Sequence, residues 1–248
     1  HGLIDFSKEI SHCGADALAV DSIVEALSLR REGITKPILV LGYTLPEMLA
    51  EAIKHDISVT VSSLESFSAA KKCLSSLKLK IHIKVDTGMH RQGFLKGEIE
   101  KVLEFLRENQ SLFSVEGIFT HFAMAKNPDF TGFTKTQIEV FQFWISAFKK
   151  AGISCIVHAG ATSGALLFLE SHFDMVRIGA GLYGLWPSKE IERAFGSKIP
   201  LQSALSWKTI ISEMKYLPAG ESIGYDLTHT LVRDSKIAIC PIGYWHGY

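Results

Sequence analysis

Short apolar runs and longer amphipathic segments alternate along about the first 185 residues of the chain. The apolar runs have the length and composition of buried strands. They predict seven strands, at residues 16–20, 38–41, 58–61, 80–86, 114–122, 156–160 and 175–178. Helix-like segments separate them, and this alternation is typical of repeated βα units around a parallel sheet.

Apolar periodicity and capping residues predict the helices between these strands. The pairs Ser22 with Glu25 and Ser62 with Glu65 have the spacing of capping boxes, and Thr134 to Gln137 is expected to cap the longest helix. The predicted helices span residues 4–13, 22–33, 46–55, 62–77, 96–109 and 134–152.

The element count indicates an α/β fold of the (β/α)₈ TIM barrel type. Such a barrel has eight strands and usually about 250 residues, whereas this chain of 248 residues has seven predicted strands and begins with a helix. We therefore expect the first strand of the barrel to be missing. The chain opens at His1 rather than Met, which agrees with a missing start.

The pattern changes after Pro187. Residues 205–216, 222–230 and 237–242 are strand-like, and no amphipathic helix separates them. They predict the beginning of a β-rich C-terminal domain with too few strands to close a core. We expect a barrel domain over residues 1–199 and a partial β domain over residues 200–248.

Charge and cysteine content exclude several classes of protein. Lys plus Arg and Asp plus Glu each number 26, so no net charge attracts nucleic acid or an anionic membrane. The uncharged stretch at residues 153–169 contains His, Thr, Ser and Gly, which disfavour a membrane span. The four cysteines are widely spaced, which favours reduced thiols in a cytoplasmic protein.

Two short motifs have weak structural support. Gly179 to Gly184 fits the dinucleotide fingerprint, but Trp186 and Pro187 follow where a helix is required. Gly220 to Gly224 fits the nucleophile elbow of hydrolases, yet strand-like sequence follows it. The ten histidines show no metal-ligand spacing, so no metal site is predicted.

Polar residues collect where four of the predicted strands end, which is where a TIM barrel carries its active site. They provide cations, an imidazole and turns rich in Gly and Ser, a combination that suits an anionic ligand with a phosphate and a planar ring. The segments are Lys84 to Arg91, Thr120 to Ala123, His158 to Ser163 and Arg177 to Gly184.

With these motifs the sequence resembles the alanine racemases, pyridoxal 5'-phosphate (PLP) enzymes of fold type III. The resemblance covers nearly the whole chain, and Lys84 to Arg91 followed by Arg177 to Gly184 is its most specific part. Further matching segments are Ala19-Val20, Ile38 to Gly42, Thr120 to Ala123, Ile223 to Tyr225 and Pro241 to Tyr244.

The resemblance implies how the cofactor is held. Ser163 and the backbone N–H groups of Gly179 and Ala180 would bind its phosphate. Arg177 would hydrogen-bond the pyridine nitrogen and keep it unprotonated, because a guanidinium does not readily give up a proton. His121 would stack near the ring.

The resemblance also implies the substrate contacts. Arg91 would bind the phenolic oxygen of the cofactor and position the substrate carboxylate, supported by Lys84, which is carbamylated in some members of the family. Tyr225 would be the catalytic acid/base on one face of Cα, contributed across a homodimer interface. The second group would be a Schiff-base lysine just upstream of His1, so we expect the 248 residues alone to be inactive.

The implied activity is a cytoplasmic isomerase reaction that interconverts L- and D-alanine for the peptidoglycan of the cell wall. Thr162 stands where the family usually has Asn, and Trp245-His246 replace a small residue and Asp. Because the substrate-gate residues of the family are expected beyond Tyr248, a serine or broad-specificity racemase is an alternative. A non-catalytic PLP-binding barrel and a structural barrel without cofactor are further alternatives, although the β-rich C-terminal segment argues against the former.

Overall fold

A computed structural model describes residues 2–74, 78–129 and 131–247. The chain divides into two compact units, with the boundary between Ala204 and Leu205. The first unit is an α/β barrel and the second is built from short antiparallel strands.

Seven parallel strands form the centre of the first unit. They are hydrogen-bonded in chain order, so β1 and β7 are the two edges of a nearly closed barrel. The predicted parallel barrel is therefore confirmed. The strands are β1 (Leu18–Val20), β2 (Ile38–Val40), β3 (Ser58–Val61), β4 (Leu79–Lys84), β5 (Phe113–Phe119), β6 (Ile156–Ala161) and β7 (Met175–Arg177).

Eight α-helices occur in the described part of this unit. They are α1 (Leu3–His12), α2 (Ile23–Arg31), α3 (Leu49–Lys54), α4 (Leu64–Cys73), α5 (Ile99–Glu108), α6 (Gly132–Lys150), α7 (Thr162–Leu167) and α8 (Lys189–Phe195). The capping box of α2 forms as predicted, between Ser22 and Glu25. The predicted box of Ser62 with Glu65 is wrong by one residue, because Ser63 is the N-cap of α4 and Ser66 completes the box. The predicted end of α4 at Leu77 lies outside the described residues.

Apolar side chains from strands and helices form one continuous core. Wholly buried examples are Ile81 on β4, Ile118 on β5 and Phe141 on α6. A bulge between Ile81 and His82 shifts the register of β4 against β5. At this level β5 carries Gly117, where a Cβ atom would overlap the His82 imidazole. Glycine is therefore required for a histidine to fit inside the sheet.

Several predicted boundaries in the barrel are wrong. Strands β4 and β5 leave the sheet earlier than their apolar runs suggest, because the chain turns into loops after Lys84 and Phe119. Helix α6 begins at Gly132, so Thr134 to Gln137 is not its cap. Helix α8 was not predicted; Ser188 caps it by accepting a hydrogen bond from the Ile191 N–H.

The second unit contains two antiparallel pairs. Strand β8 (Glu213–Leu217) pairs with β11 (Ser235–Ile239), and β9 (Ser222–Ile223) pairs with β10 (His229–Thr230). The predicted continuous strand at 222–230 is wrong. Asp226 and Leu227 have φ of 58° and 51°, and this left-handed backbone makes a turn between β9 and β10.

Candidate active site

The carboxyl ends of the barrel strands bring the predicted residues of the first unit to one end of the sheet. Lys84 and Arg177 are the last residues of β4 and β7, and Ser163 lies in the first turn of α7, directly after β6. His121 follows β5 by two residues. Parallel pairing of β4 to β7 in chain order places these side chains on neighbouring strands.

Arg177 is fixed by several acceptors. Its Nη1 lies 2.7 Å from His158 Nδ1, and its Nη2 donates to the carbonyl oxygens of Thr120 (2.8 Å) and Ala159 (3.0 Å). The guanidinium also lies over the Phe119 ring, 5.1 Å from the centroid. Burial lowers the pKa of Arg177 to about 10, so it stays charged at neutral pH.

A buried histidine pair supports this arginine. Because the arginine donates to His158 Nδ1, the proton of the neutral imidazole lies on Nε2 and is donated to His82 Nδ1, 2.9 Å away. Burial, and then the charge of Arg177, lower the pKa of both imidazoles, that of His82 to about 4. The His158 ring also stacks on Phe119 at 4.8 Å.

His121 lies beside the same guanidinium. Its Nδ1 is 3.5 Å from Arg177 Nη2, and the side chain is half-buried. Burial, followed by the charges of Arg177 and Arg91, lowers the pKa of His121 to about 4. The imidazole is therefore neutral at physiological pH and can offer an uncharged ring face.

Lys84 is buried between the strands and directed to Gln92. Its Nζ donates to Gln92 Oε1 at 2.9 Å and lies 5.5 Å from the centroid of the Phe119 ring. Burial, followed by the charges of Arg91 and Arg177, lowers the pKa of Lys84 to about 8. A fraction of this amine is neutral and nucleophilic at neutral pH.

Asp86 shapes the loop that carries Arg91. Its Oδ1 accepts hydrogen bonds from the backbone N–H groups of Gly88 (2.9 Å) and His90 (3.0 Å). His90 has a φ of 53°, so this turn is held in the left-handed region. The turn leaves the Arg91 side chain exposed.

The turns that follow β6 and β7 are joined by Thr162. Its Oγ1 accepts hydrogen bonds from the N–H groups of Gly179 (3.1 Å) and Gly181 (3.3 Å). Ser163 next to it is buried, and Ala180 begins a short 3-10 turn. The Gly179 N–H, one of the predicted phosphate donors, therefore already donates to Thr162. Thr162 is the residue that stands where the family usually has Asn.

Tyr225 belongs to the second unit. It begins the turn between β9 and β10 rather than lying in a strand, and 92% of its side chain is exposed. Its hydroxyl is thus available at the surface of that unit.

The predicted site residues did not include His82 and His158, which support Arg177, or Gln92, which accepts from Lys84. Histidines inside predicted strands were the available signal for the first two. Gln92 is reached across the loop that follows β4, and no local pattern indicates that contact. No group of three or more His, Cys, Asp or Glu side chains in the described ranges could hold a metal ion. Nor is any described helix long and apolar enough to cross a membrane.

Comparison with known proteins identifies the family. A model of the alanine racemase N-terminal domain matches residues 1–187, and a model of the alanine racemase C-terminal domain matches residues 204–248. Alanine racemase of Methanococcus maripaludis is 41% identical over all of this chain and 66% of its own length. For alanine racemase 1 of Oceanobacillus iheyensis the identity is 39%, with 100% and 65% covered.

Solved structures agree. The crystal structure of alanine racemase from Bacillus anthracis with bound L-Ala-P superimposes with a TM-score of 0.89 at 35% identity, covering 100% of this chain and 64% of that one. The chain thus spans 64% to 66% of the length of these relatives. Since the two domain models match its barrel and its β-rich unit, the chain belongs to the alanine racemase family.

Proposed function

We propose that this protein is a PLP-dependent alanine racemase that interconverts L- and D-alanine. The observation that carries the proposal is Arg177, a charged guanidinium held by neutral His158 and by backbone carbonyls at the end of β7. None of the described carboxylates forms an ion pair with it. Because a guanidinium has N–H donors and no acceptor, Arg177 can donate to an unprotonated ring nitrogen but cannot accept from a protonated one.

The donors present fit PLP. A ring-binding pair, Arg177 and His121, stands beside turns that contain buried Ser163 and the backbone N–H groups of Gly179 and Ala180, which suit a phosphate. The Gly179 N–H would be shared between Thr162 and the phosphate. When bound, PLP would withdraw electrons from the substrate Cα so that its proton can leave.

Around that group, the residues of this chain would orient and exchange protons. Arg177 would keep the ring nitrogen unprotonated, which limits delocalisation into the ring and disfavours transamination. Arg91, on the exposed turn after β4, would bind the phenolic oxygen of PLP and position the substrate carboxylate. Buried Lys84, whose pKa the charge of Arg91 helps to lower, would support this arginine.

Racemisation requires proton transfer on both faces of Cα, so two groups are needed. Tyr225 would serve one face, and the resemblance assigns the other to a lysine outside these 248 residues. The high exposure of Tyr225 on its own unit supports a role at the barrel of a second subunit in a homodimer.

We further propose that the protein acts in the cytoplasm and supplies D-alanine for peptidoglycan. The names of the relatives support the reaction alone. The four free cysteines support a reducing compartment. The proposed domains remain a PLP-binding barrel over residues 1–199 and a β domain over residues 200–248.

The test is racemisation by the purified protein at its natural length. We expect PLP to remain bound through gel filtration and a solution of L-alanine to lose its optical rotation. A protein that retains PLP without changing the rotation of L-alanine would contradict the proposal and favour a non-catalytic PLP-binding role. Faster racemisation of L-serine than of L-alanine would reassign the substrate.

A further inference from the structure

The apolar face of α6 contains one wholly buried amide, Gln137. The neighbouring buried side chains on this helix are mostly apolar, among them Ile138, Phe141 and Trp144. Burying a primary amide costs free energy unless its donors and acceptor find partners. The burial of the Gln137 amide is therefore explained by its hydrogen-bond partners.

Those groups lie in the loops that follow β4 and β5. Gln137 Nε2 donates to Thr87 Oγ1 at 3.1 Å and lies 3.5 Å from the His121 carbonyl oxygen. Its Oε1 accepts from the Ala123 N–H at 3.0 Å. One side chain of α6 thus joins two loops that are more than 30 residues apart in sequence.

The hydroxyl groups of Thr87 and Thr120 require the Gln137 side chain to donate a hydrogen bond to Thr87. Thr120 Oγ1 donates to the Val85 carbonyl oxygen at 2.9 Å, so its contact with Thr87 Oγ1 at 2.8 Å must be donated by Thr87. The Thr87 oxygen is then left as an acceptor for the Gln137 amide. A carboxylate in this position would face two oxygen acceptors and repel both.

The two loops carry proposed site residues. The turn after Thr87 leads to Arg91, and the segment 121–123 begins with His121. Helix α6 also packs closely on this turn, since a Cβ atom at Gly88 would lie 3.0 Å from Phe133 Cζ and 3.7 Å from Gln137 Cγ. A shift of Gln137 would therefore move both loops.

We propose that Gln137 is a positioning residue that holds the loops bearing Arg91 and His121 in the arrangement that binds PLP. It touches neither substrate nor cofactor and acts through the backbone of residues 121 and 123 and the hydroxyl of Thr87. The inference rests on the proposed function, because it requires that the site binds PLP.

The test compares Gln137→Glu with Gln142→Glu, a matched change on the exposed side of the same helix. Protein of natural length is freed of cofactor with hydroxylamine, and PLP affinity is measured by titration at pH 8.5 and pH 6. We expect Gln137→Glu to weaken PLP binding at least about tenfold at pH 8.5. At pH 6 the defect should shrink, because a buried carboxyl becomes protonated and can again donate to Thr87. Gln142→Glu should bind like the wild type at both pH values.

A second variant, Gln137→Met, keeps the volume without the donors and serves if the acidic variant does not fold. It should show the same loss of PLP affinity at both pH values. The inference is overturned if folded Gln137 variants bind PLP as the wild type does and lose only thermal stability. Failure of the wild-type protein to bind PLP is a different result, which contradicts the proposed function itself.

Discussion

At the residue scale, burial and then the charge of Arg177 keep the neighbouring histidines neutral. Both effects lower the pKa of His82, His121 and His158, so all three imidazoles are neutral at physiological pH. Neutral imidazoles accept hydrogen bonds without adding positive charge. The arginine is therefore oriented by groups that neither neutralise nor repel it, and this arrangement depends on pH.

The first prediction concerns stability in acid. Because the pKa of His82 falls from 6.5 in the unfolded chain to about 4 in the folded one, the unfolded state takes up a proton first as the pH drops. This histidine should thus cost about 2 kcal/mol of stability between pH 7 and pH 5. The variant His82→Asn retains an acceptor near Nδ1 but cannot titrate. Its urea unfolding free energy should be less sensitive to pH over this range by that amount.

The variant is compared with the wild type in the same buffers at pH 7 and pH 5. If His82→Asn and wild type lose the same unfolding free energy between pH 7 and pH 5, burial of His82 is not a source of acid sensitivity.

At the element scale, a helix side chain binds the segments that lead into neighbouring strands of the barrel. Arg30, on α2, donates to four backbone carbonyl oxygens: those of Ile34, Lys36, His55 and Asp56, at distances of 2.7 to 2.9 Å. These carbonyls lie in the segments before β2 and β3. One planar guanidinium thus joins the connections that enter two adjacent strands.

The second prediction tests this connection with Arg30→Lys. A lysine keeps the charge but cannot reach four acceptors in one plane, so we expect a loss of about 2 kcal/mol in unfolding free energy. The matched change Arg31→Lys affects an exposed side chain whose contact is with Ser28 on the same helix. Equal denaturation midpoints for the two variants would show that the Arg30 contacts contribute no specific stability.

Elements were predictable where apolar period and capping residues act locally. The seven parallel strands are confirmed for this reason. Their ends were not, because leaving the sheet after Lys84 depends on the bond from the Phe94 N–H to the Lys84 carbonyl oxygen, a contact across the following loop. The turn at Asp226 is a left-handed backbone that the alternating pattern conceals.

The candidate site, like the elements, is predictable from the sequence only in part. Parallel strand order is enough to bring Lys84, His121 and Arg177 to one end of the barrel, so their proximity follows from the sequence. The partners of these residues do not. His158 and Gln137 contact them across strands and loops, and only packing in three dimensions selects those pairs. The roles assigned to the site residues stay predictions.

At the scale of the whole molecule, the proposed residues are divided between two units. Arg91 and Arg177 belong to the barrel, whereas Tyr225 lies in the β-rich unit. Both Arg91 and Tyr225 are exposed, so substituting either should leave its unit folded. Two inactive but folded proteins can therefore be made, one defective in each unit.

The third prediction uses these proteins to test a shared active site. Arg91→Ala and Tyr225→Phe should each abolish racemisation of L-alanine by the natural-length protein. If Tyr225 serves the barrel of its partner, a hybrid dimer has one site with both defects and one intact site. Co-expression in equal amounts gives half hybrids, so activity should return to about a quarter of the wild-type value. If Tyr225 serves its own barrel, every site in the hybrid carries one defect and co-expression restores nothing, which would refute sharing between subunits.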